Sequence, residues 1–363
     1  MAKRYKSRSK KLEPAVTELT FTGTNVPIAG QGPGAVPGTV TVYVDLNQVN
    51  SLVNRRFYRQ GLVNAVASIK VTTQSVLAGT STPVIDNPRG AVEVAKLPTT
   101  WVMSNAWEKG FRAWQRMNNE ALQETESIRP KFLDFKIYAD AGHHAAGYGA
   151  NLLPNSNFLG FLPAATPGEW SPSKISHPLA AGATEGATIE EEIIAVGSSY
   201  PGVAPSGFNA VSLIEGYAAS RGLPNIADPN TPDDASDTDN ATPENWLGAM
   251  FNDGTEQTAD VLADMITENT IAPYPFENDG VNLDTMYPGG ANQLGGLQIH
   301  DFELITGSTI GGTTYLRGGS FPCGLLKFTF KNFDETYEIL PYIQINLMPG
   351  HHRGLLCAPM TEM

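Results

Sequence analysis

The sequence predicts a mainly β chain: an antiparallel β-sandwich, a single jelly roll, carrying long loop insertions and one or two helices. Three observations lead there. Runs of alternating apolar and polar residues concentrate at the two ends of the folded part, in 39–138 and 296–348, and fade between them. Gly 36 and Pro 26 together make up about 17% of the 363 residues, above the average usage of about 12% and below low-complexity values. No repeat of fixed period divides the chain, so a stack of small units is not expected.

Residues 1–38 read as a largely disordered arm with a hinge, and 39–363 as the shell of the fold with an acidic, loop-rich insertion at about 179–296. The arm opens with MAKRYKSRSKK, continues through the amphipathic piece Val16–Phe21, and closes on the turn-forming run Gly30–Gly38. Regular structure is expected from Thr39. Thr39–Leu46 (TVTVYVDL), Ala67–Gln74 (ASIKVTTQ) and Lys131–Tyr138 (KFLDFKIY) alternate as strands do. In the third, Leu133, Phe135 and Ile137 share a face opposite Phe132, Asp134, Lys136 and Tyr138.

A helix is expected between the second and third strands, with Asn105 and Glu108 as a variant capping box. Trp107, Phe111 and Trp114 recur at i, i+4 and i+7 on one side of it. Such a stripe can stack bases, but its ordinary role is the buried face of an amphipathic helix, and that is the expectation. His143 to Pro178 reads as loop, Asp228–Asn245 as an acidic turn-rich tract, and Glu256–Asn269 as a second helix. Strands resume at Gly296–Ile305, Gly324–Phe330 and Leu340–Met348.

Composition excludes several classes. The 41% hydrophobic and 17% charged content is that of a globular chain. No apolar run reaches the roughly 18 residues needed to cross a bilayer, and no apolar segment follows the basic start, so neither a membrane partner nor a secretory signal is expected. Cys323 and Cys357 are too few for a disulfide framework and read as packed thiols of a reducing compartment.

No constellation points to catalysis, and an enzyme is not expected. A nucleophile elbow is missing, Gly30-Gln-Gly32 and Gly147-Tyr-Gly149 lack the third glycine and helix of a phosphate loop, and no carboxylate spacing singles out an acid–base pair. His143–His144 and His351–His352 are vicinal, a spacing that seldom chelates one metal, and His177 and His300 stand apart; loop and core histidines are the expectation, with no metal site. Asp233, Asp234, Asp237 and Asp239 offer hard oxygens without the glycine and terminal glutamate of an EF-hand, so a calcium ion shared between subunits is the one cofactor reading, against a solvated loop. Glu190, Glu191 and Glu192 read as exposed surface.

Charge carries the functional signal. The first eleven residues hold six of the 24 Lys and Arg and none of the 37 Asp and Glu, while the chain as a whole stands at −13. From Ile175 to Leu316 a single basic residue, Arg221, faces 21 acidic ones. Lys3, Arg4, Lys6, Arg8, Lys10 and Lys11 would displace counterions from a polyanion and grip it in a salt-sensitive, sequence-independent way. Arg55, Arg56 and Arg59, in SLVNRRFYRQG, either extend that surface or form ion pairs with the body's carboxylates. Nuclear-localisation, anionic-membrane and solubilising roles are the other readings of the basic run.

The basic arm, the Gly/Pro hinge, the short strands with long Thr/Asn/Gly/Pro loops and the lack of catalytic motifs resemble a small icosahedral virus coat protein. In layout and length the whole chain is most similar to capsid proteins of small circular single-stranded DNA viruses that encode a replication initiator. The resemblance implies a viral jelly roll assembled in many copies of itself, with the arm inside the shell against a single-stranded DNA genome, and localisation to the virion and, during assembly, the host nucleus. The residues themselves do not separate DNA from RNA. By carry-over only Lys3, Arg4, Lys6, Arg8, Lys10 and Lys11 match a functional feature of that family, and many such arms hold considerably more Arg. The alternative from another class is a carbohydrate-binding or carbohydrate-processing β-sandwich using Trp101, Trp170 and Trp246; a double jelly roll is a third, for which 363 residues are marginal.

Overall fold

The computed structural model describes residues 14–30, 36–84, 86–123, 132–155, 164–178, 188–222, 296–306 and 312–363. The basic run before Pro14, the acidic tract 228–245, the helix expected at 256–269 and Trp246 lie outside them.

The fold is mainly β, with antiparallel sheets packed as a sandwich. One sheet contains β1 (Glu18–Thr22), β11 (Glu338–Leu347), β3 (Leu62–Val76) and β9 (Thr313–Phe321) in that spatial order. The short β14 (Cys357–Pro359) continues β11's side of β3, since Asn64 pairs with Phe321 on one edge and Cys357 on the other. The second sheet runs β2 (Gly38–Asp45), β10 (Leu325–Asn332), β4 (Gly90–Lys96), β8 (Gln298–Ile305), every pairing antiparallel. Consecutive strands never lie side by side in it. The chain steps from β2 to β3 to β4, and later from β8 through β9 and β10 to β11, changing sheet each time.

Alternation explains the core. In β10, Leu326, Phe328 and Phe330 are buried while Lys327, Thr329 and Lys331 are half-buried. They meet Ile343 and Ile345 of β11, Ile69 and Val71 of β3, and Leu19 and Phe21 of β1 in one apolar cluster drawn from both sheets. Each fully buried side chain of this size contributes roughly 1.5–3 kcal/mol. Because successive residues face opposite ways, Tyr43 and Leu325 leave that cluster to their neighbours and join a second one.

The second cluster is organised by α2 (Trp101–Ala121), which buries Val102, Met103, Ala106, Trp107, Ala113 and Trp114. Against it lie Phe135, Ile137 and a small third sheet of β5 (Lys174–Pro178), β6 (Thr188–Ile194) and β7 (Ala210–Ser212), followed by α4 (Leu213–Gly222). Gly110 of α2 packs on Leu213 of α4; a Cβ there would collide with the Leu213 side chain.

Several expectations are corrected. The ordered fold starts before Thr39: Leu19 and Phe21 are 1% exposed, and β1 completes the edge of β11, which takes it out of the expected 1–38 arm. Four α-helices occur among the described residues rather than one or two, including α1 (Leu46–Asn54) and α3 (Ala141–Ala146). Part of the expected acidic insertion, 188–222, is sheet and helix with Ile193, Ile194, Val211 and Ile214 buried. The β6–β7 pair is parallel, an exception to the antiparallel rule. The long helix begins at Trp101 with Thr100 as its cap, the Thr100 hydroxyl accepting from Met103 N, five residues before the expected cap Asn105. Its aromatic stripe is the buried face it was expected to be: Trp107, Phe111 and Trp114 all meet the Phe135 ring, at centroid distances of 6.0, 5.9 and 5.5 Å.

The expected strand at 131–138 has the right faces but no ladder. Among its described residues only Tyr138 bridges to another strand, in parallel with Ile194. The side chain of Gln60 takes the place of a neighbouring strand, its Oε1 accepting from Ile137 N at 2.6 Å and its Nε2 donating to Ile137 O at 3.1 Å. Lys136 N donates to Ser173 Oγ, and Lys136 O accepts from Ser173 N. The backbone is thus satisfied one group at a time, as burial demands.

Candidate nucleic-acid interface

The candidate interface starts with how α1 begins and ends. Asp45, the last residue of β2, caps α1: its Oδ1 accepts from Asn47 N and Gln48 N. Its Oδ2 accepts from Gln60 Nε2 and Trp170 Nε1 at 3.0 and 2.9 Å. Burial still outweighs these four donors and pushes the Asp45 carboxyl up to about 6. At the other end Arg55 closes the helix in the left-handed conformation, φ 52, a position usually given to glycine.

That turn aims the next residues alternately outward and inward. Tyr58 and Gln60 are fully buried, with Tyr58 OH donating to Arg353 O and Gln60 N donating to Asp134 Oδ2. Arg55 and Arg59 are exposed, and Arg56 and Phe57 are half-buried. Three of the expected site residues, Arg55, Arg56 and Arg59, are therefore gathered on one rim.

The rim borders a groove of about 840 Å³. Phe132 to Lys136 and Glu169 to Lys174 supply its far wall, and Trp114, Met117 and Asn118 of α2 its floor. Past Leu133 and Asp134 it continues into a second hollow of about 470 Å³, over Trp107, Phe111 and Trp114. Gly61 sits at this end because a Cβ there would lie 2.6 Å from the Trp107 ring. Trp107 Nε1, buried beside the hollow, has no hydrogen-bond partner among the described residues.

The lining reverses the charge of the chain. Arg55, Arg56, Arg59, Lys136 and Lys174 face Asp134 and Glu169, five basic groups against two acidic ones, in a protein with 24 against 37. Arg59 pairs with a carboxylate as the alternative reading required: it lies 3.6 Å from Asp134 and also donates to Leu133 O at 2.6 Å. Burial raises the Asp134 carboxyl above its usual range, and the Gln60 amide and Arg59 oppose that shift. Lys136 is lowered by burial, with its ammonium 4.6 Å from the Trp170 ring centre. Phe57 is the hub of the aromatic groups, 5.3 Å from Phe132 and 6.0 Å from Trp170, with Arg59 over its face at 5.5 Å.

Arg56 connects this surface to the arm. Its Nη1 donates to Pro14 O at 3.0 Å and to Arg353 O at 3.2 Å, and Val16 N donates to Asn54 Oδ1 at 2.7 Å. Lys3, Arg4, Lys6, Arg8, Lys10 and Lys11 lie outside the described residues; Pro14, the first described residue, is held by Arg56, which also lines the groove. Backbone anchors and exposed cations in this order suit a chain of phosphates, and the neighbouring rings suit unstacked bases.

Other candidates resolve differently. His143 and His144 are fully buried on α3. His143 Nδ1 accepts from Ala139 N at 3.1 Å, so its proton sits on Nε2, which donates to Asn151 Oδ1 at 2.7 Å. Burial is the main reason this imidazole is lowered to about 4. Glu191 and Glu192 are buried, contrary to expectation, and face opposite sides of β6. His177 Nε2 lies 2.5 Å from Glu191 Oε2, and His144 Nε2 lies 3.0 Å from Glu192 Oε2 though off the hydrogen-bonding direction. The run Glu190–Glu192 carries no sign of this burial, because His144 and His177 are distant in sequence. His300 Nε2 donates to the Arg317 carbonyl, 3.1 Å away, and His351 is exposed. Among the described residues no group of three His, Cys, Asp or Glu is placed to hold a metal ion. Cys323 is buried and Cys357 half-buried, both free thiols.

Compared with known families, curated proteins and solved structures, the chain matches none. The groove and the fold therefore have to speak through their own chemistry. The signal for α1 was present: Asp45 stands at a cap position, and Leu46, Val49 and Val53 recur at helical spacing.

Proposed function

We propose that this protein is a viral capsid subunit that self-assembles into an icosahedral shell and packages nucleic acid, single-stranded DNA in the leading form, through its basic N-terminal arm. The observation that carries the reading is the tie from Arg56 to Pro14: the polycationic segment leads to a basic groove on an otherwise acidic chain. Two further features support it. The order β2-β10-β4-β8, with β3, β9 and β11 placed in the facing sheet, is compatible with the wrapping of a jelly roll and supports that reading. Strand β8 pairs only with β4 among the described strands and exposes Ile299, Phe302 and Leu304, an apolar edge of the kind a second copy covers. On the carbohydrate reading, Trp101 is half-buried against the α2 cluster and Trp170 lies under the Lys136 ammonium, which favours the shell.

The expressed chain should form particles of uniform size under negative stain. Deleting Met1–Lys11 should lower their nucleic-acid content, read from the ultraviolet absorbance ratio, while the β circular-dichroism signal stays the same. A monodisperse monomer with no salt-dependent binding of nucleic acid sinks the proposal.

A further inference from the structure

We infer that the groove beside α1 is a binding site for unpaired bases of a single-stranded nucleic acid, distinct in chemistry from the arm's grip on phosphates. The inference deepens the packaging reading and rests on it only for the source of the strand.

Three features of the groove select this ligand. The first is a ring platform: Phe132 is 59% exposed and packs on Phe57 at 5.3 Å with the rings tilted by 59°. An exposed phenylalanine is costly to display in water, and a base laid on it removes that apolar face from solvent. The second is the placement of charge around the rings. Arg55 stands on the near rim, Lys136 and Lys174 on the far wall, so cations flank the aromatic strip on both sides. Phosphates on either side of a splayed base would meet them, whereas a paired duplex hides its base faces from Phe132. The third is position. The arm's root at Pro14 is bound by Arg56, itself a lining residue, so a strand held by the arm is delivered to the groove at high local concentration.

The lining has little geometry for reading base edges. Arg56 and Arg59 already donate to the carbonyls of Pro14, Arg353 and Leu133, and stacking accepts any base. The site is therefore selective for single strands over duplex and weakly selective for sequence.

The test uses the full-length chain and labelled oligothymidylate, oligouridylate and a duplex of matched length, with binding followed by fluorescence anisotropy across a salt series. Phe132→Ala is expected to weaken single-strand binding roughly tenfold and to leave duplex binding and the salt slope unchanged, with Phe132→Trp restoring affinity. Replacing the six arm cations by Gln should lower the salt slope for single strand and duplex alike. The thymidylate and uridylate arms distinguish a DNA source from an RNA one. In the unmodified protein, ultraviolet crosslinking of oligothymidylate should mark 55–59 or 132–136. Crosslinks confined to the arm, or a Phe132→Ala variant that binds single strands as tightly as the parent or loses both forms equally, overturn the site. Particle formation is a separate readout, so a protein that makes no shells yet shows the Phe132 effect defeats the capsid reading and leaves the groove standing.

Discussion

The two-sheet sandwich and the region around α1 and α2 are adjacent, yet they are held together by different physics. The sandwich core is apolar throughout: Leu19, Phe21, Ile69, Val71, Phe328, Phe330, Ile343 and Ile345 contribute no polar group to it. Next to it, Asp45, Gln60, Asp134, Asn151 and His143 are buried and joined by hydrogen bonds, with Gln60 bonding to both polar groups of Ile137. A regular ladder satisfies its own backbone and leaves side chains free to be greasy. An irregular segment cannot, and side chains must supply what the ladder would have given. The groove sits on the irregular side, where side-chain identity rather than strand pairing fixes the shape.

The comparison can be broken by a matched pair of substitutions. Phe328→Ala should lower stability by about 4 kcal/mol, a cavity in a packed core, and shorten hydrogen-exchange protection throughout both sheets. Gln60→Leu keeps the volume and removes the bonds, so it should cost less, roughly 2–3 kcal/mol. Its loss of exchange protection should centre on the Ile137 amide while β10 stays protected. Equal, global effects of both in urea titrations and exchange would mean the two regions are one cooperative unit.

Acid sharpens the contrast, because the titrating groups with the clearest shifts lie on the polar side. His143 is lowered to about 4, so below pH 6.5 the unfolded chain takes its proton first, and stability is lost as pH falls from 6.5 towards 4. Asp45 is raised to about 6, so the folded chain takes its proton first, and stability is gained as pH falls from about 6 to 3.8. Each contribution is about 3 kcal/mol, and over the shared window they nearly offset. Asp45→Asn removes the gain. The variant should therefore lose about 3 kcal/mol more than the parent between pH 7 and 4, measured by denaturant midpoints at each pH.

The smallest effect tests the rim. Arg55 holds a left-handed φ that costs a non-glycine residue roughly 1–2 kcal/mol, an expense partly returned as unfolded-state entropy. Arg55→Gly should raise stability by up to about 1 kcal/mol while the salt slope of nucleic-acid binding falls by about 1. A fall in stability would show that the arginine side chain, not the turn, holds that corner.

How much of this was legible follows the same divide. β2, β3, β8, β10 and β11 were readable because one face is buried and the sequence alternates with period two. The faces of 132–138 were readable for the same reason, but the missing ladder was not, since nothing near Lys136 announces that Gln60 will stand in for a strand. The arginine cluster at 55–59 was visible as charge. Its partner wall, Phe132–Lys136 and Glu169–Lys174, was not, because folding alone brings together segments so far apart in sequence. Glu191 and Glu192 misled for a related reason: a run of three carboxylates looks solvated until its histidines are found elsewhere in the chain.

Arg56 also gives the molecule a load path. Pulled from the N-terminal side, a strand as short as β1 would peel from β11 one pair at a time if nothing restrained it. With one guanidinium clamping the Pro14 and Arg353 carbonyls together, and Asn54 holding Val16, tension reaches the end of α1 and the turn at Arg353 before it reaches the sheet. A pull at Pro14 is then shared among these three hydrogen bonds rather than falling on the first pair of the β1–β11 ladder.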